Sequence, residues 1–189
     1  MRIGLFGGTF DPPHLGHVQV ATTLADQYAL DRVLFVVCGD PYHKHDTRPD
    51  LSPASVRAAL VAATLADTKD ERLVVELVEL TRSGPTYSVD TAAWAATRFP
   101  DAERFWLVGH DTAPNIDSWH DSERFRQLVQ LAVFDEVLLG SAVPGSCPQR
   151  STPIRNALAN GDRELAEAWL TPTCRTLVEA LDLYLAPVG

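Results

Sequence analysis

Residues 2–17 read RIGLFGGTFDPPHLGH. The short apolar run at 2–6 has the make-up of a buried strand, and Gly7 and Gly8 follow where such a strand must turn sharply. Without a Cβ, each glycine also lets a ligand come up against the backbone. Beyond the two prolines, LGHVQVATTLADQYAL (15–30) sets Val18, Ala21, Leu24 and Ala25 at helical spacing. A strand, a glycine turn and a helix form the opening unit of an α/β fold.

The same alternation recurs along the chain. RVLFVV (32–37), RLVVELVEL (72–80) and RFWLVG (104–109) are strand candidates, with VFDEVLLG (133–140) a weaker fifth. Between them lie SPASVRAALVAATLA (52–66), with Ser52 as N-cap and Pro53 at the first helical position, and SVDTAAWAATRF (88–99). Parallel neighbours need crossover connections, so this order predicts a doubly wound parallel sheet covered on both faces. Ligands of such sheets bind beyond the carboxyl ends of the strands. Two further helical stretches follow, STPIRNALANG (151–161), closed by Gly161, and TPTCRTLVEALDLY (171–184). The expected organisation is one domain over 1–189, with 151–189 a helical C-terminal portion.

Bulk composition narrows the class. The 189 residues are 46% hydrophobic and 22% charged, with no apolar run long enough to span a membrane and no signal segment, so a soluble cytoplasmic protein is expected. A net charge of -9 argues against a nucleic-acid binder, whose affinity comes from basic side chains. A small anionic substrate remains open if a few cations and backbone N–H groups are focused in a cleft. Cys38, Cys147 and Cys174 are odd in number and far apart, which fits neither a disulfide framework nor a zinc site.

The opening stretch is neither the dinucleotide fingerprint G-x-G-x-x-G nor a Walker loop, which would end in G-K-[ST]. His14 and His17, three apart at a helix start, project to nearly the same side. A metal would need more ligands, and His43, His45 and Cys38 sit on another loop without zinc spacing. One imidazole could cap the helix while the other packs in the core. Their position, beside a helix N-terminus at the C-terminal edge of a sheet, favours a phosphate site.

With these residues in view, GGTFDPPHLGH resembles the signature of the nucleotidyltransferase superfamily, with His14, Leu15, Gly16 and His17 as its [HT]-x-G-H element. RSTPIR (150–155) is similar to the superfamily's late S-S-T-x-[IV]-R motif through Ser151, Thr152, Ile154 and Arg155. Hydroxyls and N–H groups at a helix start, with one arginine, suit β and γ phosphates. PYHKHDTRPDLSPASVR, RSGPTYSVDT (82–91) and LVGHDTAPNIDSW (107–119) resemble, in order, stretches of bacterial nicotinate mononucleotide adenylyltransferases. Arg150 and His110 depart from that pattern, and 133–150 is shorter than in the family.

The resemblance implies a Rossmann-like nucleotidyltransferase domain that joins ATP, carried with Mg²⁺, to nicotinate mononucleotide, giving nicotinate adenine dinucleotide and pyrophosphate. It implies His14 and His17 as catalytic, and Gly7, Gly8, Thr9, Phe10, Lys44, Gly109, Asp111, Ser151, Thr152 and Arg155 as binding ATP and its phosphates. Thr86 and Tyr87 would meet the nicotinate carboxylate through backbone N–H groups, and Trp119 would stack on the pyridine ring. No dedicated metal cage, nucleic acid or membrane is expected, and a homo-oligomer is left open. Alternatives are a relative that uses nicotinamide mononucleotide or phosphopantetheine, a nucleotide-binding regulator without catalysis, and an interaction scaffold.

Overall fold

The computed structural model describes residues 1–41, 48, 50–134, 151–162, 164 and 168–185. Five strands, β1 (Arg2–Gly8), β2 (Arg32–Val37), β3 (Leu73–Glu76), β4 (Glu103–Gly109) and β5 (Gln130–Phe134), form one parallel sheet in the order β3-β2-β1-β4-β5. The helices are α1 (Leu15–Gln27), α2 (Ala54–Ala66), α3 (Ser88–Arg98), α4 (Ser122–Leu128), α5 (Ser151–Ala159) and α6 (Pro172–Ala180). From β1 the chain winds outward to β2 and β3, then returns to place β4 on the other side of β1. The order reverses between β1 and β4, where the crevice of a doubly wound sheet opens.

Both faces of the sheet are covered, so its central strands read as continuous apolar runs rather than alternating ones. On one face, Val20, Ala21 and Leu24 of α1 and Ala58, Val61 and Leu65 of α2 pack on Phe6, Phe35, Phe105 and Leu107. On the other, Val89, Ala92 and Ala95 of α3 and Phe125 of α4 pack on Leu5, Val36, Trp106 and Val108. A third cluster joins Leu60 of α2 to Ile154 and Ala157 of α5 and to Cys174 and Val178 of α6. The C-terminal helices are thus built on α2 and not on the sheet. Among the described residues no helix is long and apolar enough to cross a membrane.

Several boundaries differ from the sequence expectation. The strand predicted over 72–80 stops at Glu76 and gives way to a 3-10 turn, Val78–Thr81. The Glu76 carboxylate takes the Val78 N–H at 2.9 Å and draws the chain out of the ladder, which buries Glu79 and leaves Leu77 exposed. Helix α1 ends at Gln27 because Ala29 turns left-handed at φ 48° and Leu30 N–H closes on the Ala25 carbonyl. Pro53 occupies the N-cap position of α2, and the Ser52 hydroxyl donates to the Tyr184 oxygen at 3.4 Å instead of capping. The fifth strand begins at Gln130; residues 135–140 of the predicted stretch, and all of 135–150, lie outside the described residues.

Candidate active site

At the C-terminal end of β1 the chain is pressed close to its neighbours. A Cβ on Gly7 would lie 3.0 Å from the Trp106 ring, and one on Gly8 would lie 2.9 Å from the Phe10 ring. Phe10 itself is left-handed at φ 51°, and the Asp11–Pro12 peptide is cis. The chain then enters α1 with His14 at the N-cap. The His14 N–H donates to His17 Nδ1 at 3.1 Å, so the neutral His17 ring carries its proton on Nε2. The two imidazoles lie 3.7 Å apart, with His17 edge-on to Phe10 at 5.0 Å.

This packing sets the charge state. Burial pushes His14 down to about 3, and burial together with the neighbouring His14 charge holds His17 well below the ordinary histidine range. Both rings are neutral at pH 7. His14 is 1% exposed, and among the described residues neither of its ring nitrogens has a hydrogen-bond partner. A buried donor left so is costly unless a ligand meets it.

Helix α5 brings the second motif onto the first. Ser151 donates its hydroxyl to the Pro12 carbonyl at 2.8 Å, while Arg155 donates to the Asp11 carbonyl at 2.7 Å and the Thr152 hydroxyl at 3.0 Å. Between these elements opens a cleft of about 530 Å³. It is lined by His17, Gly7, Gly8, Thr9 and Phe10 from the first loop, Gly109 and Asp111 after β4, Thr86 and Trp119 at the far end, and Ser151, Thr152 and Arg155. His14 lies behind His17, in contact with it. Lys44, placed with the phosphates by the sequence reading, lies outside the described residues. Gly109 is constrained too, since a Cβ there would sit 2.6 Å from Asp111 Oδ1.

The far end is built differently. Trp119, half-buried, packs edge-on to Trp106 at 6.3 Å and lies 5.4 Å from Phe125, so it is a wall of the cleft and part of the core at once. Tyr87 stacks on His120 with ring centroids 4.2 Å apart. Thr86 turns its N–H and its hydroxyl to the Asp40 carbonyl, at 3.4 and 3.2 Å, so this amide serves the loop rather than standing open to a carboxylate. Cys38 lies 3.3 Å from the Thr86 hydroxyl, and burial raises its thiol to about 11.

Four residues outside the sequence-based set hold the site together. Arg57, 1% exposed, donates to the carbonyls of Ser52, Thr9 and Gly39 and ties three loops. Asp11, also 1% exposed, accepts from Arg48 and Tyr184 at 2.6 Å each. Asp11 and Arg57 stand inside the quoted motifs, where a carboxylate between Phe and two prolines and an arginine after S-P were visible signals. Arg48 also lies inside the quoted stretch at 41–57, without a signal of its own there, and Tyr184 ends the last predicted helical stretch. Among the described residues no three His, Cys, Asp or Glu side chains converge as a metal site.

Comparison with known proteins agrees with this construction. The cytidylyltransferase-like family model matches residues 5–157. A probable nicotinate-nucleotide adenylyltransferase of Thermus thermophilus is 36% identical over 194 residues, covering 97% of this chain and 100% of the relative. One of Shouchella clausii is 34% identical over 193 residues, covering 97% and 96%. Among solved structures, a putative nicotinate-nucleotide adenylyltransferase of Vibrio parahaemolyticus superposes with a TM-score of 0.75 at 22% identity, covering 97% of this chain and 96% of the other. Nicotinic acid mononucleotide adenylyltransferase of Plasmodium falciparum, complexed with NaAD, also gives 0.75 at 15% identity, covering 97% of both chains, and at such identities the likeness establishes the fold. With a family model matched over residues 5–157 and relatives aligned over nearly their whole length, on a doubly wound parallel sheet with a cleft at its switch point, the chain belongs to the cytidylyltransferase-like family of nucleotidyltransferases.

Proposed function

We propose that the chain is an adenylyltransferase that joins ATP, taken up as its Mg²⁺ complex, to nicotinate mononucleotide, releasing pyrophosphate and nicotinate adenine dinucleotide. The observation that carries this reading is the two-ended cleft: the His17 imidazole, hydroxyls and two arginines at one end, two tryptophans and Thr86 at the other. The relatives of Thermus thermophilus and Shouchella clausii bear names of the same activity. The family resemblance adds Lys44 to the phosphate end.

The attacking phosphate is anionic at neutral pH, so no general base and no covalent enzyme intermediate are required. What the chain supplies is alignment and charge stabilisation. A neutral His17 with its proton on Nε2 donates to an oxygen of the α-phosphate as negative charge builds there, and His14, packed behind it with neither ring nitrogen partnered among the described residues, is a second donor. Thr152, Arg155 and the first turn of α5 receive the departing pyrophosphate. Magnesium would arrive on the nucleotide and neutralise phosphate charge there, since among the described residues no acidic cluster forms a cage for it. Trp119 offers a face to the pyridine ring, and the turn at Thr86 and Tyr87 sits beside its carboxylate. We place the enzyme in the cytoplasm, where both nucleotides are made and used.

The test is pyrophosphate release from ATP and Mg²⁺ with nicotinate mononucleotide, nicotinamide mononucleotide and phosphopantetheine in parallel. Release with nicotinate mononucleotide well above the other two is expected. ATP binding without release for any of them would make the chain a nucleotide-binding regulator.

A further inference from the structure

The cationic lip of the cleft hangs on one buried aspartate, through its carboxylate and its backbone carbonyl, and on a tyrosine 173 positions further along the chain. Arg155 donates to the Asp11 carbonyl at 2.7 Å, and Arg48 donates from Nη2 to Asp11 Oδ2 at 2.6 Å. The remaining carboxylate oxygen, Oδ1, accepts the Tyr184 hydroxyl at 2.6 Å, and that hydroxyl in turn accepts from Ser52 at 3.4 Å. Arg48 also bridges to the exposed Asp50 at 2.9 Å. Arg48 and Arg155 both line the cleft, and burial, followed by the neighbouring Arg48 charge, holds Arg155 below its ordinary value. Asp11 links the two guanidiniums, its carboxylate taking Arg48 and its backbone carbonyl taking Arg155.

Tyr184 is placed at a cost. It ends the turn after α6, where Asp182 and Tyr184 are left-handed at φ 48° and 63°, and a bulky aromatic seldom takes that conformation. Such outliers persist where the surroundings over-determine them, and they gather at functional sites. Here the surroundings are the third cluster, on which Leu183 and the Tyr184 ring pack, and the function of the strain is delivery of one hydroxyl to Asp11.

We propose that Tyr184 is a positioning residue for the polyphosphate end of the site: through the Asp11 carboxylate it fixes Arg48, and by fixing Asp11 it steadies the backbone carbonyl that takes Arg155, so that both guanidiniums are set for a pyrophosphate group. The inference rests on the adenylyltransferase reading for its ligand, and it assigns a task to the C-terminal turn. It predicts a selective defect. Tyr184→Phe keeps the ring and removes only the hydroxyl, so the KM for ATP, and the KM for pyrophosphate in the reverse direction, should rise about tenfold, the scale of one charge-assisted hydrogen bond. The KM for nicotinate mononucleotide should stay within about twofold, because Trp119 and Thr86 do not touch this network.

The experiment titrates inorganic pyrophosphate into wild type, Tyr184→Phe and Arg48→Gln by calorimetry, with the melting temperature and both forward KM values measured in parallel. Weakened pyrophosphate binding in both variants with the nicotinate mononucleotide KM unchanged supports the proposal. Unchanged pyrophosphate affinity in Tyr184→Phe overturns it, and so does an equal loss for both substrates, which would mark general loosening. Should Tyr184→Phe fail to fold, Arg48→Gln, on a partly exposed side chain, decides by the same reading. Wild type that binds pyrophosphate but does not turn over refutes the adenylyltransferase reading while the variant titrations still judge this one. Wild type that binds no pyrophosphate refutes the positioning role.

Discussion

The two ends of the cleft are made of opposite materials. At the phosphate end, His14 and His17 are buried with their charge suppressed, and the ring nitrogens of His14 go unpartnered among the described residues. At the pyridine end, Trp119 and Trp106 are packed edge to face and continue the hydrophobic core. The first end accepts a folding cost to keep donors ready for an anion; the second adds to stability while shaping a pocket. Substitutions should therefore separate activity from stability at one end and couple them at the other.

The sharpest break is at His17. His17→Ala should lower turnover by about 10² to 10³-fold, the scale of losing one transition-state donor, while the melting temperature changes little. Steady-state kinetics beside calorimetry reads both, and near-normal turnover would remove His17 from the phosphate role. Trp119→Ala should show the coupled pattern: about 2 kcal/mol lost in denaturant unfolding, less than for a fully buried aromatic, together with a higher KM for nicotinate mononucleotide. Full stability with the same KM defect would mean that Trp119 is a wall and no part of the core.

Acid should find the phosphate end first. The folded values of both histidines lie below the unfolded value near 6.5, so between pH 6.5 and about 3 the unfolded chain binds protons that the folded chain does not. Stability is then complete above pH 6.5 and falls as pH drops through that window. Melting temperature against pH in wild type and His14→Gln measures it, and the variant's curve should be flatter. An identical slope in the two would contradict the suppressed charge on His14. The smallest effect concerns Cys38, which lines the cleft beside Thr86 with its thiol raised to about 11. Alkylation at pH 8, followed by peptide mass mapping, should be on the order of 100-fold slower there than for an ordinary thiol, since the thiolate is what reacts. Rapid modification would show a more open far end.

What could be read from the chain beforehand follows the reach of each interaction. β1, β2 and β4 are apolar runs buried on both faces, and the loop from Gly7 to His17 is contiguous, so local pattern is enough for them. Ser151, Thr152 and Arg155 form a short motif of their own, and the structure seats it on Asp11 and Pro12. The end of β3 was illegible because strand-forming residues continue to Leu80, whereas the backbone is diverted by the Glu76 carboxylate and by Thr91, whose hydroxyl donates to the buried Glu79 at 2.7 Å. Nor does any spacing announce that Tyr184 meets Asp11 across 173 positions, or that the Thr86 N–H serves Asp40. Packing of α6 on α2 makes the first contact, and the close approach of Cys38 and Gly39 to Thr86 makes the second.

That long span has a consequence in time. Asp11 is synthesised before all three of its partners, which follow at separations of 37, 144 and 173 positions. At about 5–20 residues per second, roughly 9–35 s pass between the synthesis of the carboxylate and that of the tyrosine that fixes it. During translation the sheet can form around an Asp11 that has Arg48 but not yet Arg155 or Tyr184. A nascent chain halted short of residue 184 would thus carry the signature loop with its phosphate grip unfinished, and full affinity for polyphosphate would wait for the tyrosine.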